Sequence, residues 1–424
     1  MEIKELAAAL AATAGLVAAT MSSVTAAVPS PTPETLRGYN ISATYVSGVS
    51  SGGYLANQLH VAYSDVFSGA GIFTAGPYRC AGDFDYAVRA QTGCMQNGTR
   101  KSPAQLAEET RTLAASGKLD AVANLAGDAV YLYHGTNDTT VHQAVNDDLA
   151  TYYSGFGANV TYRKDSAAGH AWVSPLGPVA CASTASPFIN DCGDDPVGEL
   201  LAALLGTVHR PAGTLSGKLV QFDQNAFAPG GNANAISMDA KGFTYVPPSC
   251  SQGASCRLMV ALHGCKQGYS YQSFGDAFMK YAYLNEYADT NNMIVLYPQA
   301  IPLSTAGTTN PNGCWNWWGY GGDAAYAWHG GKQLDAISAM VRKLSSGSTP
   351  TTPPPVTTTT IPPTTTAPAP TCVTDTNYAH TTAGRAYQSG GYAYANGSKQ
   401  KLGLWTIYSK STIKETSPGY WELC

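Results

Sequence analysis

The chain has 424 residues, 44 of them glycine, with only 12% charged residues and a formal net charge of −4. That length allows one large domain or two smaller ones, each with a substantial core, and the apolar content excludes a disordered chain. No clustered Lys/Arg run offers a footprint for nucleic acid or an anionic membrane, so a neutral or insoluble partner fits the balance better.

Residues 1–27 read as a secretory signal: Lys4, an apolar run of small residues to Ala19, then small residues up to Ala27 for a signal peptidase. The ten cysteines agree with an extracellular destination, because an even number in a low-charge exported chain points to disulfides. Near neighbours suggest Cys80–Cys94, Cys181–Cys192 and Cys250–Cys256, leaving Cys265 with Cys314 and Cys372 with Cys424, one connectivity among many. None of the spacings resembles a zinc site, and no cofactor or metal is expected. No later stretch is long and apolar enough to span a bilayer, so no membrane partner is expected either.

After an N-terminal leader, residues 39–46 are β-prone and run into Gly48-Val49-Ser50-Ser51-Gly52-Gly53, after which residues 53–63 turn helical with Leu55, Leu59 and Tyr63 on one side. A strand, a Gly-x-Ser-x-Gly turn and a helix spell a nucleophile elbow with Ser50 at its tip. The pentapeptide alone is weak in a Gly- and Ser-rich chain, and its context must carry the rest. Residues 67–73 form the next small, buried strand, 103–116 a helix, and 129–133 a strong strand ending in a turn that bears Asp138. A helix over 145–153, a short strand over 159–162, a loop with Gly169-His170 and a helix over 196–205 follow. The order is therefore serine, acid, histidine, each just beyond a predicted strand.

Strands are predicted again at 219–222, 242–246 and 258–262, the last feeding His263-Gly264-Cys265, then a long helix over 273–290, a strand over 293–297, an aromatic loop over 314–320 and a helix over 331–344. In a regular α/β-hydrolase such strands precede the nucleophile; here they follow the histidine. The α/β fold expected is thus a circularly permuted α/β-hydrolase occupying residues 28–344, an arrangement that buries the same side chains as the unpermuted sheet. Two independent α/β domains are the alternative. Residues 345–371 are almost wholly Thr, Pro and Ser, an extended linker, and residues 372–424 form a Tyr- and Gly-rich module opened and closed by cysteine.

An acyl transfer needs a nucleophile, a base, an acid that orients the base and donors for the oxyanion. Ser50, His170 and Asp138 fill the first three roles, and the backbone N–H groups of Ser51 and Cys265 the last. Asp165 is a competing acid, set aside because Asp138 follows a strong strand; His134 and His263 read as strand-end residues bonded to backbone. Trp315, Trp317 and Trp318 cannot all face one core, so at least one should line a substrate surface, suited to an apolar acyl chain or polymer face.

The motifs Gly48-Val49-Ser50-Ser51-Gly52-Gly53-Tyr54, Gly135-Thr136-Asn137-Asp138, Gly169-His170, Leu262-His263-Gly264-Cys265 and Asn312-Gly313-Cys314-Trp315-Asn316-Trp317 together resemble extracellular short-chain-length polyhydroxyalkanoate depolymerases, of the type whose oxyanion residue follows the triad. The resemblance spans about residues 35–344. It implies a secreted serine esterase that cleaves poly(3-hydroxybutyrate) through an acyl-enzyme, with Ser50, Asp138 and His170 as triad, Cys265 in the oxyanion hole and a tryptophan of the 315–318 loop on the polymer. It also implies that the terminal module is a polymer-binding appendage. The partner expected is an insoluble polyester, and the enzyme a monomer. A feruloyl or acetylxylan esterase with a carbohydrate-binding tail is the second reading, and a binding protein on a dead hydrolase fold the third.

Overall fold

The computed structural model describes residues 28–83, 86–305, 308–347, 372–417 and 420–424; the expected signal peptide and the linker from residue 348 onward lie outside them. Two compact units divide at residues 352 and 353. No helix among the described residues is long and apolar enough to cross a membrane.

The larger unit is built on nine strands: β1 (Thr32–Pro33), β2 (Ile41–Val49), β3 (Phe67–Phe73), β4 (Ala129–Tyr133), β5 (Asn159–Arg163), β6 (Lys218–Asp223), β7 (Lys241–Val246), β8 (Cys256–Leu262) and β9 (Met293–Tyr297). They form one sheet in the order β1-β6-β7-β9-β8-β2-β3-β4-β5. Only β7 pairs antiparallel to its neighbours, so the sheet is otherwise parallel. Since β8 lies directly against β2, strands from both halves of the sequence share one sheet, and the alternative of two separate α/β domains is not what forms.

Both faces of a mostly parallel sheet must be covered, which is why its strands are short apolar runs rather than alternating ones. Along the central strands the side chains part by period two. Val46, Ile72, Leu132, Val260 and Leu296 enter one core, and Val49, Phe73, Tyr131, Met259 and Val295 the other. The first core is closed by α1 (Ser51–Ala62), α2 (Pro103–Ala115), α3 (Gln143–Ser154) and a late helix, Lys332–Leu344, which contributes Leu334, Ile337 and Val341. The second is closed by α4 (Pro196–Leu205), whose Leu200 and Leu204 lie over β3. Every residue of α1 is buried.

One expected element differs. In place of a single helix over 273–290 there are two, Ala277–Tyr281 and Leu284–Thr290, because Tyr283 between them takes a left-handed conformation (φ 63°) that no α-helix accommodates. Asn285 bridges the break, its Nδ2 donating to the Met279 carbonyl at 2.8 Å. All five expected cysteine pairs form, the three between sequence neighbours and the two left over, with Cys265–Cys314 tying the turn after β8 to the aromatic loop.

The smaller unit holds two three-stranded antiparallel sheets around one short helix, Asn377–Thr382, and is closed by Cys372–Cys424. Its centre is partly polar. Asn377 donates to the Leu404 carbonyl at 2.9 Å and accepts from Ser411 Oγ at 2.7 Å, while His380 Nε2 bonds the Ser411 carbonyl at 3.0 Å. Those side chains pin the helix to both sheets where a unit this small has little apolar core to offer. Ile407 is 57% exposed and Tyr408 86%.

Candidate active site

β2 enters the middle of the sheet and stops at Ser50, whose φ of 55° and ψ of −123° are strained for any residue with a side chain. The strain is held in place. Ser50 donates its N–H to the Phe73 carbonyl at 3.0 Å, and helix α1 starts at the next residue. The flanking glycines are required by backbone proximity rather than by their own dihedrals: a Cβ on Gly48 would lie 2.3 Å from the Gly52 oxygen, and one on Gly52 would lie 2.3 Å from the Leu262 oxygen and 2.4 Å from that of His263. Gly52→Ala is therefore expected to push the elbow away from the end of β8, costing about 1–3 kcal/mol of stability; urea unfolding checks it.

The turn after β4 and the loop after β5 bring Asp138 and His170 to this serine. Gly135 allows the approach, since a Cβ there would lie 2.1 Å from the Ala168 oxygen. Asp138 is fully shielded at its side chain and uses both oxygens: Oδ1 accepts from the Thr140 and Val141 N–H groups at 2.8 and 2.9 Å, and Oδ2 from His170 Nδ1 at 2.7 Å. His170 is fixed through its own backbone, which donates to Thr184 Oγ1 at 2.9 Å, and its Nε2 stands 2.8 Å from Ser50 Oγ. Ser50, His170 and Asp138 thus form a continuous hydrogen-bonded line. Asp165 does not join it: it is 86% exposed and pairs with Arg163. His134 bonds the Val141 carbonyl at 2.8 Å, as a strand-end histidine should.

The turn after β8 closes the site from the other half of the chain. A Cβ on Gly264 would sit 3.3 Å from Ser50 Cβ, so the turn borders Ser50. Its peptide groups are individually committed. Gly264 N–H donates to Gln267 Oε1 at 2.6 Å, and Gln267 Nε2 donates in turn to the Pro187 carbonyl at 2.8 Å. The Gly264 carbonyl accepts from His263 Nδ1 at 2.7 Å, while His263 Nε2 accepts the Ala300 N–H at 3.1 Å. Full burial lowers the His263 pKa to about 4, so the ring is neutral with its proton on Nδ1. Among the described residues no protein acceptor takes the N–H of Ser51 or of Cys265.

The aromatic loop requires a correction. Trp315, expected among the substrate-facing residues, is completely buried; its ring packs on His263 and its Nε1 donates to the His263 carbonyl at 2.9 Å. A buried indole needs an acceptor for its N–H, and this one supports the turn after β8 from behind. Trp317 is 6% exposed and stacks on Tyr54 with ring centroids 4.0 Å apart. Only Trp318 is half-buried, edge-on to Trp317 and tilted against Tyr320. Sequence patterning does not reveal Gln267 or Thr184: Thr184 holds the His170 N–H across 14 residues and Gln267 reaches the Pro187 carbonyl across 80, and only Gln267 carries a local hint, its place three residues after the glycine of the His-Gly turn.

No family model matches the chain. It is 37% identical over 471 aligned residues to a poly(3-hydroxybutyrate) depolymerase of Delftia acidovorans, covering 90% of this chain and 92% of that one. It is 41% identical to a polyhydroxybutyrate depolymerase of Talaromyces funiculosus over 73% of this chain and 91% of the relative. Among solved structures it resembles a serine-to-alanine variant of a PHB depolymerase complexed with an R3HB trimer, with a TM-score of 0.66, 38% identity, and coverage of 74% of this chain and 99% of that one.

Proposed function

The chain belongs to the poly(3-hydroxybutyrate) depolymerases, and from that premise we infer that it hydrolyses the polyester with Ser50 as nucleophile, His170 as base, Asp138 as orienting acid, and the Ser51 and Cys265 N–H groups as oxyanion donors. The observation that carries this assignment is the line of hydrogen bonds from Ser50 Oγ through His170 to Asp138, at 2.8 and 2.7 Å.

With Nδ1–H held by Asp138, His170 presents a lone pair at Nε2 and takes the Ser50 proton as Oγ attacks the ester carbonyl. Negative charge develops on the former carbonyl oxygen, where the two free amides meet it. Collapse expels the alkoxide, which takes the proton back from His170. Water, deprotonated by the same ring, then frees Ser50. Asp138, already holding two backbone N–H bonds, stabilises the imidazolium without moving.

The order of elements supports a circular permutation, since strands that would open a regular α/β-hydrolase sheet lie in the second half here. Trp318, the half-buried member of the aromatic loop, is the tryptophan suited to the polymer. Residues 28–344 act as the catalytic domain. Residues 372–424 serve as the binding appendage, since their exposed Tyr408, Ile407 and Trp405 offer an apolar surface to a solid. Secretion as a monomer completes the reading, with five disulfides in keeping with an oxidising destination.

Clearing of a turbid suspension of poly(3-hydroxybutyrate) granules tests the activity, and brisk ferulate or acetate release from xylan without clearing would favour the carbohydrate esterase instead. Deleting residues 372–424 is expected to spare hydrolysis of soluble short esters while slowing granule clearing about tenfold or more. Equal losses on both substrates would refute the appendage.

A further inference from the structure

Beside the turn after β8 an open groove is lined by Ser186, Phe188, Lys266, Tyr271, Gln272 and Phe274. We propose that this groove receives the leaving fragment of the polyester and that Lys266 pairs with the free carboxylate ending that fragment, so that the enzyme favours cleavage near the acid end of short chains. The inference rests on the roles given above to Ser50 and His170.

The side of the serine on which the groove lies follows from what builds it. One wall belongs to the segment that holds the histidine: Thr184 accepts the His170 N–H at 2.9 Å and the Cys181 carbonyl accepts the Gly169 N–H at 2.8 Å. A general acid must face the oxygen it protonates, so the departing alkoxide lies on the histidine's side. The other wall follows the oxyanion turn without a gap, Lys266 being the residue after Cys265. Gln267 ties the two walls, bonded to Gly264 on one and to Pro187 on the other.

Lys266 is placed firmly. It takes a left-handed backbone (φ 66°), a conformation that costs energy for a residue with a side chain, and its N–H donates to the Asn312 carbonyl at 2.7 Å. The stem therefore starts from a fixed point in the turn that borders Ser50, and the residue is exposed and lines the groove. No carboxylate pairs with its ammonium among the described residues.

Substrate chemistry supplies the missing anion. A poly(3-hydroxybutyrate) chain is uncharged along its length and carries a single carboxylate at one end. When Ser50 Oγ bonds to the acyl carbon and the ester C–O bond breaks, the acyl part retains the hydroxyl end. The alcohol part takes its proton from His170 and leaves as a hydroxy acid bearing that carboxylate. Only the leaving side can offer a carboxylate to a cation, and only when the cut falls one or a few units from the acid end.

The test compares the (R)-3-hydroxybutyrate trimer as free acid and as methyl ester at neutral pH. The wild type is expected to show a kcat/KM about three- to tenfold higher for the acid, carried by KM and shrinking as salt is added. Lys266→Met should bring the ratio to about one, and Lys266→Arg should keep most of it. A wild type indifferent to the carboxylate, or a preference that survives in Lys266→Met, overturns the proposal. Urea unfolding midpoints of each variant report its folding, so a loss of fold cannot pass for a loss of preference. Failure to cleave either trimer would instead strike at the assigned site and substrate.

Discussion

Ser50→Ala is expected to lower kcat on soluble esters by about 10⁴–10⁶-fold, the loss seen when a triad nucleophile is removed and only oxyanion donors and binding remain. Adsorption to polymer granules should be unchanged, because the change removes one oxygen at the end of β2 and leaves the smaller unit untouched. The same backbone geometry is open to alanine, at the same left-handed cost that serine already bears, so unfolding midpoints should move little. Hydrolysis that persisted in this variant would mean that another residue is the nucleophile. Loss of both hydrolysis and adsorption would mean that the site and the granule-binding surface are one.

The second large effect is expected at His263, which reacts with nothing. In a trans peptide the N–H points away from the C=O, so holding the Gly264 carbonyl through His263 Nδ1 at 2.7 Å aims the Cys265 N–H. His263→Phe removes that donor, and with it the acceptor for the Ala300 N–H. kcat should fall by about 10²–10³-fold, the price of one oxyanion donor, with KM nearly constant. A trifluoromethyl ketone, which is bound as a tetrahedral adduct, should weaken in parallel, whereas an inert ester analogue should not. A variant that lost stability and raised KM at full kcat would assign His263 to packing alone.

Acid should expose the same residue. Burial holds its folded-state pKa at about 4, below the ordinary value of 6.5. Between those two values the unfolded chain binds a proton that the folded chain refuses. The stabilisation is complete above pH 6.5 and is lost as pH falls toward 4, by about 3 kcal/mol over the window. Glu286 runs the other way: burial raises its pKa to about 7 from 4.5, so its burial grows costlier as pH rises through that range. Urea midpoints at pH 4.5 and 7 for wild type and His263→Phe separate the two, since the variant should lose only the acid-side decline.

The central strands and the hydrogen-bonded line of Ser50, His170 and Asp138 are legible in the sequence for one physical reason. A sheet covered on both faces writes each strand as a short apolar run, and in β2, β4 and β8 the run ends at a glycine-containing turn that carries the chemistry. The assignments that changed depend on partners distant in sequence. Trp315 is buried because the His263 carbonyl, far away along the chain, needs a donor. The break at Tyr283 has no glycine or proline to announce it and is stabilised by Asn285 reaching back to Met279. Gln267 acts on the Pro187 carbonyl, and no local pattern marks such a bond.

The pairing of β2 with β8, in which Ile41 meets Cys256 and Gly48 meets Leu262, also governs how the protein can be born. A ribosome that has delivered Ser50, Asp138 and His170 has delivered every side chain to which the proposed mechanism gives a chemical step, yet β2 still shows a bare edge and the Cys265 amide does not exist. On the proposed mechanism such an intermediate is inert toward ester, and its bare edge makes it prone to pair with its own kind. Activity therefore cannot accumulate domain half by domain half; it arrives in one late step, when β8 slots beside β2, and the many long-range contacts that step requires should make it slow.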